Sequence, residues 1–193
     1  MRRLLALMAI FLLAGLLVVI VSCRPEGYDR AAVRTLFDFE QQWELDFLRW
    51  RCGTLLEQDD RHVTSGRHSL RVELYPNDEY PGLTCFFEEG RMAAGRLLVD
   101  IHNPAADPIR LSWRIDDRRD NPPYADRANG RFVARPGDNV FAVDLVGLTT
   151  SGTGRLLQPE AVSRLALFVR RPEKPLVFFV DNVRLEKKSM NKR

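Results

Sequence analysis

Apolar and polar residues alternate along much of this chain after residue 34. Residues 69–74 and 109–115 are the clearest cases, with an apolar side chain at every second position. A period of two is typical of β-strands that bury one face and expose the other to water. Strands are predicted at 35–40, 54–58, 69–74, 83–87, 96–102, 109–115, 130–134, 139–146, 165–170 and 176–186. Only residues 159–163 have a helical pattern, over about one turn.

Turn-forming sequences separate these predicted strands. Asn103-Pro104 and Pro136-Gly137 are two examples, and both pairs are typical of sharp turns. Many short strands with almost no helix favour an all-β fold, an antiparallel β-sandwich or a barrel. The lack of helices between strands argues against a parallel α/β fold.

The N-terminus has the pattern of an export signal. Arg2 and Arg3 precede an uncharged apolar run over residues 4–21, as in the charged and apolar regions of a signal peptide. Ile20-Val21-Ser22-Cys23 resembles the bacterial lipobox, which implies cleavage before Cys23 and lipid on that cysteine. An uncleaved signal anchor helix and a simple cleaved signal are the alternatives. Each places the domain outside the cytoplasm, at the cell envelope, in the periplasm or on the cell surface.

The length then suits one exported domain. We predict a lipoprotein signal peptide over residues 1–22, a linker over 23–33, a β-sandwich domain over 34–186 and a basic disordered tail over 187–193. The whole chain has 29 basic and 26 acidic residues, and two of the basic residues fall within 1–22. The remaining chain is close to neutral, which excludes the electrostatic footprint expected for a nucleic-acid partner.

Two cysteines follow Cys23. Cys52 and Cys85 are predicted to form a disulfide, since disulfides are stable outside the cytoplasm. Two buried free thiols are the alternative. A metal site at these cysteines is disfavoured, because no CxxC or histidine cluster accompanies them.

Three segments give the chain a resemblance to a known family. They are the start Phe37-Asp38-Phe39-Glu40, the middle 63–72 (VTSGRHSLRV) and the end 178–185 (FFVDNVRL). Their order resembles the galactose-binding-like jelly rolls, a group of β-sandwiches that includes many carbohydrate-binding modules. The resemblance implies a jelly-roll fold for residues 34–186 and a carbohydrate ligand.

The same resemblance implies a structural Ca²⁺. Its side-chain ligands would be Glu40 and Asp181, with a backbone carbonyl near Arg67 as a weaker third ligand. Asp181 shares strand parity with Phe179 and Val183, so a buried carboxylate is expected there, and such a group must be paired, hydrogen-bonded or metal-bound. The alternative is that Asp181 accepts backbone N–H bonds or pairs with an arginine.

The outward side chains of several strands suggest a polar ligand face. If their strands are neighbours, one surface would carry five polar side chains: Asp100, His102, Arg114, Asp116 and Asp144. Sugar sites combine such polar groups with apolar walls. Trp43, Trp50 and Tyr80 are candidate aromatic platforms, whereas Trp113 has core parity.

The charged loop 116–129 lies beside this face. Tyr124 and Arg127 in it are candidate ligand contacts, and a salt-bridged surface loop is the alternative.

Catalytic motifs are missing from the sequence. There is no GxSxG, HExxH or phosphate-binding loop motif. The export signal and the resemblance to galactose-binding-like jelly rolls together favour a membrane-anchored, non-catalytic, carbohydrate-binding-like module. The alternative is an envelope domain that binds another protein or the cell wall, which predicts an exposed apolar patch. A glycoside hydrolase is less favoured and would require two converging carboxylates such as Asp116 and Asp144.

Overall fold

Antiparallel strands dominate the structure, a computed structural model that describes residues 28–50 and 53–188. Eleven strands are formed there: β1 Tyr28–Phe37, β2 Leu48–Trp50, β3 Thr54–Asp59, β4 Ser69–Leu74, β5 Gly82–Phe86, β6 Gly95–Asn103, β7 Ile109–Asp116, β8 Ala128–Ala134, β9 Gly137–Asp144, β10 Arg164–Phe168 and β11 Leu176–Lys188. Three short 3-10 helices accompany them, at Gln42–Phe47, Tyr124–Asp126 and Pro159–Ala161.

The strands form two sheets that enclose one apolar core. The first sheet has the order β3-β4-β11-β6-β9, with β1 also paired to β11, and the second has the order β2-β5-β10-β7-β8. Buried side chains of both sheets, such as Val72 and Phe178 from the first and Leu83 and Leu167 from the second, belong to one core cluster. Asp29–Lys188 forms one compact unit. The all-β fold predicted from the alternation is therefore confirmed, and of its two alternatives, sandwich and barrel, the two sheets form a sandwich.

All ten predicted strands are formed, with shifts at their ends. The short strand β2 was not predicted, since three residues are too few to show a period. Two predicted boundaries are wrong: β1 begins at Tyr28, inside the predicted linker 23–33, and β11 continues to Lys188, inside the predicted tail. The predicted signal peptide over residues 1–22 and Cys23 lie outside the described residues. No helix in the described part of the chain is long and apolar enough to cross a membrane.

A β-bulge in β11 reverses the parity on which one prediction rested. The register between β11 and β6 shifts between Asp181 and Arg184, and Asn182 has a φ of 49°. Phe178 and Val180 point into the core before the bulge, and Val183 and Leu185 do so after it. Asp181 therefore lies on the outer face of its sheet, and a loop covers it there, whereas the sequence placed it on the core face.

Cys85 is buried on β5, and it forms no disulfide with any residue that the structure describes. Burial raises the pKa of this thiol to about 12, so it stays protonated at neutral pH. Leu48 lies opposite Cys85 in the β2–β5 register. Cys52 lies outside the described residues, so the Cys52–Cys85 disulfide stays a prediction.

Candidate functional site

A cleft of about 520 Å³ lies on the outer face of the second sheet, the side turned away from the core. We call it the sheet cleft. One row of side chains crosses its floor, because the registers align Asn129, Arg114, Ala166, Thr84 and Arg49 on five adjacent strands. At roughly 4.8 Å between strands the row spans about 19 Å, enough for an extended ligand.

Small residues keep the floor of the sheet cleft low. Ala166 lies at its centre, and Gly82 packs so closely on β10 that a Cβ there would lie 2.5 Å from the Cβ of Phe168. A side chain at Gly82 would therefore displace Phe168.

Aromatic side chains stand around this floor. Phe86, Phe168, Tyr80 and Tyr124 all line the cleft, and the Tyr80 ring meets Phe168 edge-on at 6.0 Å. Among the predicted platform residues whose side chains are described, Tyr80 thus reaches the cleft. Trp43 lies in a separate hollow, the Trp50 side chain is outside the described part, and Trp113 packs against the core as predicted.

A buried ion triad lies beside the row, where β7 and β10 pair. Asp116 is fully buried, and the Nε of Arg114 donates to its two carboxylate oxygens at 2.8 and 2.9 Å. The Nε of Arg164 lies 2.8 Å from the same carboxylate. Asp116 shares the outward parity predicted for it, but the two guanidinium groups cover it. Its carboxylate therefore positions two arginines of the cleft instead of meeting a ligand.

The charged loop is held by ion pairs, as the salt-bridged alternative predicts, and it also reaches the cleft. Contact of Tyr124 and Arg127 with a ligand stays a prediction. The Nη1 and Nη2 of Arg155 donate to the Asp117 carboxylate at 2.7 and 2.8 Å. The Nε of Arg155 donates to Asp126 at 2.9 Å. Burial raises the pKa of Asp117, but the hydrogen bonds from Arg155 and from the Gln158 backbone, together with the charge of Arg155, hold this pKa below its ordinary value. Between Asp117 and Asp126, Tyr124 is 67% exposed at the cleft edge. Arg127, which follows Asp126, donates to the carbonyl of Pro122.

Three cleft arginines were not predicted as ligand contacts. Arg49 on β2, Arg131 on β8 and Arg164 on β10 line the cleft with Arg114 and Arg127. Each has the outward parity of its strand, which is the signal that the sequence carried. The strand order that brings β2, β10 and β8 together depends on long-range pairing, which the parity of single strands does not reveal.

Asp100 and His102 lie on the other sheet, so the single polar surface predicted for them with Arg114 and Asp116 is wrong. They line a hollow on β6. Asp100 accepts from Arg184 at 2.8 Å and from Thr64 at 2.9 Å. The ring of His102 stacks on His62 at 3.5 Å and its Nδ1 lies 2.6 Å from Asp138. Burial and the neighbouring His102 lower the pKa of His62.

Asp144 also lies outside the sheet cleft. It ends β9 in the first sheet, where it accepts the backbone N–H of Val146 at 2.9 Å. Because Asp116 belongs to the second sheet and is covered by arginines, the pair considered for a glycoside hydrolase does not converge. No aspartate or glutamate lines the sheet cleft among the described residues.

Glu40 and Asp181 hold the loop 61–68 by hydrogen bonds. Asp181 accepts from the backbone N–H groups of Thr64 at 2.6 Å and Ser65 at 2.8 Å. Glu40 accepts from those of Arg67 at 2.6 Å and His68 at 2.7 Å. Burial raises the pKa of Asp181 above its ordinary value, although the hydrogen bonds from Thr64 and Ser65 act to lower it. The two backbone donors lower the pKa of Glu40.

This donor arrangement does not fit the predicted Ca²⁺. N–H groups aimed at one point favour an anion, and here the two carboxylates are that anion. At Arg67 the backbone contributes its N–H group to Glu40, and a cation would need oxygen ligands. No group of three or more metal-ligating side chains occurs in the described ranges. Calcium binding stays a prediction without support from these contacts.

Solved structures with a similar fold include carbohydrate-binding modules and agarases. The family 11 carbohydrate-binding module from Clostridium thermocellum, solved with a β-1,3-1,4-mixed-linked tetrasaccharide, matches 80% of this chain and 95% of its own, with a TM-score of 0.60 and 12% identity. A C-terminal family 22 carbohydrate-binding module from the same organism matches 82% of this chain and 96% of its own, with a TM-score of 0.51 and 12% identity.

An exo-β-agarase matches 80% of this chain at a TM-score of 0.62 and 13% identity, but the match covers only 25% of the agarase. No protein-family model and no curated protein sequence matches the chain. At these identities the likeness concerns the fold. The chain therefore has the β-sandwich fold found in these carbohydrate-binding modules.

Proposed function

We propose that this protein is a non-catalytic carbohydrate-binding module that holds a polysaccharide in the sheet cleft. The row of side chains across five strands carries the proposal, because it forms an open floor with polar groups and small residues. Aromatic rings at its border offer apolar faces to the C–H groups of a sugar. The fold shared with carbohydrate-binding modules supports the same function.

The absence of carboxylates from the described lining of the cleft supports a binding role over glycoside hydrolysis, which uses a carboxylate pair. The large exposed apolar side chains that are described are spread over several elements, among them Val33 on β1, Leu55 on β3 and Val140 on β9. A protein-docking patch therefore has less support than a sugar cleft.

The setting of the module comes from the sequence. The apolar run after Arg2 and Arg3 and the lipobox-like Cys23 support export and attachment to a membrane at the cell envelope. The polysaccharide would then be a component or a neighbour of the cell surface.

Affinity electrophoresis of the full chain through gels containing neutral or acidic soluble polysaccharides tests this function. We expect retardation by at least one polysaccharide, and weaker retardation of Tyr124→Ala. Leu156→Ala is the matched control, since Leu156 is 63% exposed and lies outside the cleft lining. Retardation by no polysaccharide, or equal loss in both variants, would contradict the proposal.

A further inference from the structure

We propose that the polysaccharide is anionic: the sheet cleft selects glycans that carry carboxylate or sulfate groups. This inference rests on the proposed function and adds the class of ligand. The juxtaposition that carries it is five arginines around one cleft whose described lining contains no acidic side chain.

Pairing within the protein does not cancel this charge. Asp116 lies behind Arg114 and Arg164, so these two guanidinium groups and one carboxylate keep one net positive charge. Arg49 and Arg131 are exposed and form no ion pair with any residue that the structure describes. The cleft therefore has a clear positive excess, although 29 basic and 26 acidic residues nearly balance over the whole chain.

The positions of these charges suit a polymer. Arg49 and Asn129 mark the two ends of the row, and Arg131 lies on β8 beside that second end. Arg114 lies between them. Positive groups spaced along an extended floor can meet anionic groups on successive sugar units, and guanidinium groups form paired hydrogen bonds with carboxylates and with sulfate-like oxyanions.

Other contacts hold the cleft arginines in fixed positions. Fixed positions favour selective binding of an anionic glycan over non-selective binding of any polyanion. The guanidinium groups of Arg49 and Arg164 each lie 5.4 Å from the centre of the Phe86 ring, which fixes them against the floor. The Nη2 of Arg114 donates to Asn121 at 3.0 Å. Positioned charges discriminate between ligand geometries better than flexible surface lysines do.

Matched pairs of polysaccharides test the inference. Biolayer interferometry on the full chain, in a polyoxyethylene detergent that has neither charge nor sugar, would compare polygalacturonate with its methyl ester. Dextran sulfate would be compared with dextran. We expect each acidic polymer that binds to bind at least about tenfold more tightly than its neutral partner. The first pair reports on carboxylates and the second on sulfate groups. Binding of the acidic polymer should weaken between about 0.05 and about 0.5 M salt.

Two double variants test the role of the cleft charge, one by removing it and the other as a control. Arg49→Gln with Arg131→Gln removes two cleft charges, and we expect about tenfold weaker binding of the acidic polymer. Arg67→Gln with Arg135→Gln removes two charges from exposed side chains that do not line the cleft. We expect this second variant to bind as the unchanged chain does.

The outcomes separate the two proposals. Equal binding of acidic and neutral partners overturns the anionic inference and leaves the carbohydrate function intact. Binding of polyglutamate or single-stranded DNA as tightly as the acidic glycans also overturns it, because the cleft would then select charge without sugar. Binding of none of the glycans overturns the carbohydrate function itself.

Discussion

Two carboxylates illustrate how single residues shape this domain. Asp181 and Glu40 each accept two backbone N–H groups from the loop 61–68, and Gly66 has a φ of 75° that brings the loop close to Glu40. A Cβ at Gly66 would lie 2.4 Å from the Glu40 carboxyl carbon. The sequence Thr64-Ser65-Gly66 is therefore explained by the approach of the loop backbone to side chains of β11 and of the segment after β1.

Removing the Asp181 carboxylate tests this account of the loop. Asp181→Ala leaves partly buried N–H groups without acceptors, and we expect the free energy of unfolding to fall by about 1–2 kcal/mol. Asp60→Ala, which removes an exposed carboxylate near the same loop, should change it by less than about 0.5 kcal/mol. Urea denaturation measures both. We expect the same values with calcium and with a chelator, whereas stabilisation by calcium that Asp181→Ala abolishes would show that a metal site exists.

At the scale of elements, the loop between β7 and β8 brings Tyr124 and Arg127 to the cleft. Arg155 holds this loop from the segment after β9, through Asp117 on one side of Tyr124 and Asp126 on the other. A guanidinium fork can make these contacts together, and an ammonium group cannot.

Replacing the Arg155 guanidinium with the ammonium group of lysine should therefore weaken ligand binding, although Arg155 does not line the cleft. We expect Arg155→Lys to lower the free energy of unfolding by about 1–2 kcal/mol and to weaken polysaccharide binding, since Tyr124 loses its support. Arg118→Lys is the control, because the Arg118 side chain is 51% exposed and contacts Asp126 through one nitrogen. Urea denaturation and affinity electrophoresis measure the two effects. Unchanged binding by Arg155→Lys, despite lower stability, would contradict a positioning role for the loop.

Parity within single strands was predictable from the sequence, and pairing between strands was not. The outward positions of Arg114 and Asp116 on β7 follow from the alternation, and the structure agrees. Asp100 was grouped with them, but β6 belongs to the other sheet. The bulge at Asn182 shifts the parity of β11, and no local pattern announced it. The prediction that the aspartates of the polar face line the ligand site was therefore wrong. Arg114, Tyr124 and Arg127 do line one cleft.

At the scale of the whole molecule, the two outer faces of the sandwich differ. The second sheet carries an arginine-lined cleft. The first carries the hollow of about 390 Å³ where Asp100, His102 and Asp138 are already engaged in hydrogen bonds or ion pairs. Since the groups in the hollow have partners and the cleft has exposed charge and aromatic edges, we expect the ligand to bind on the second sheet.

An NMR titration of the full chain with an oligosaccharide that it binds tests this assignment most directly. Backbone amide shifts report which face the sugar touches. We predict that the largest changes occur on β5, β10, β7 and β8 and around Tyr124. Changes centred on His62, Asp100 and His102 would place the ligand on the first sheet and contradict the account.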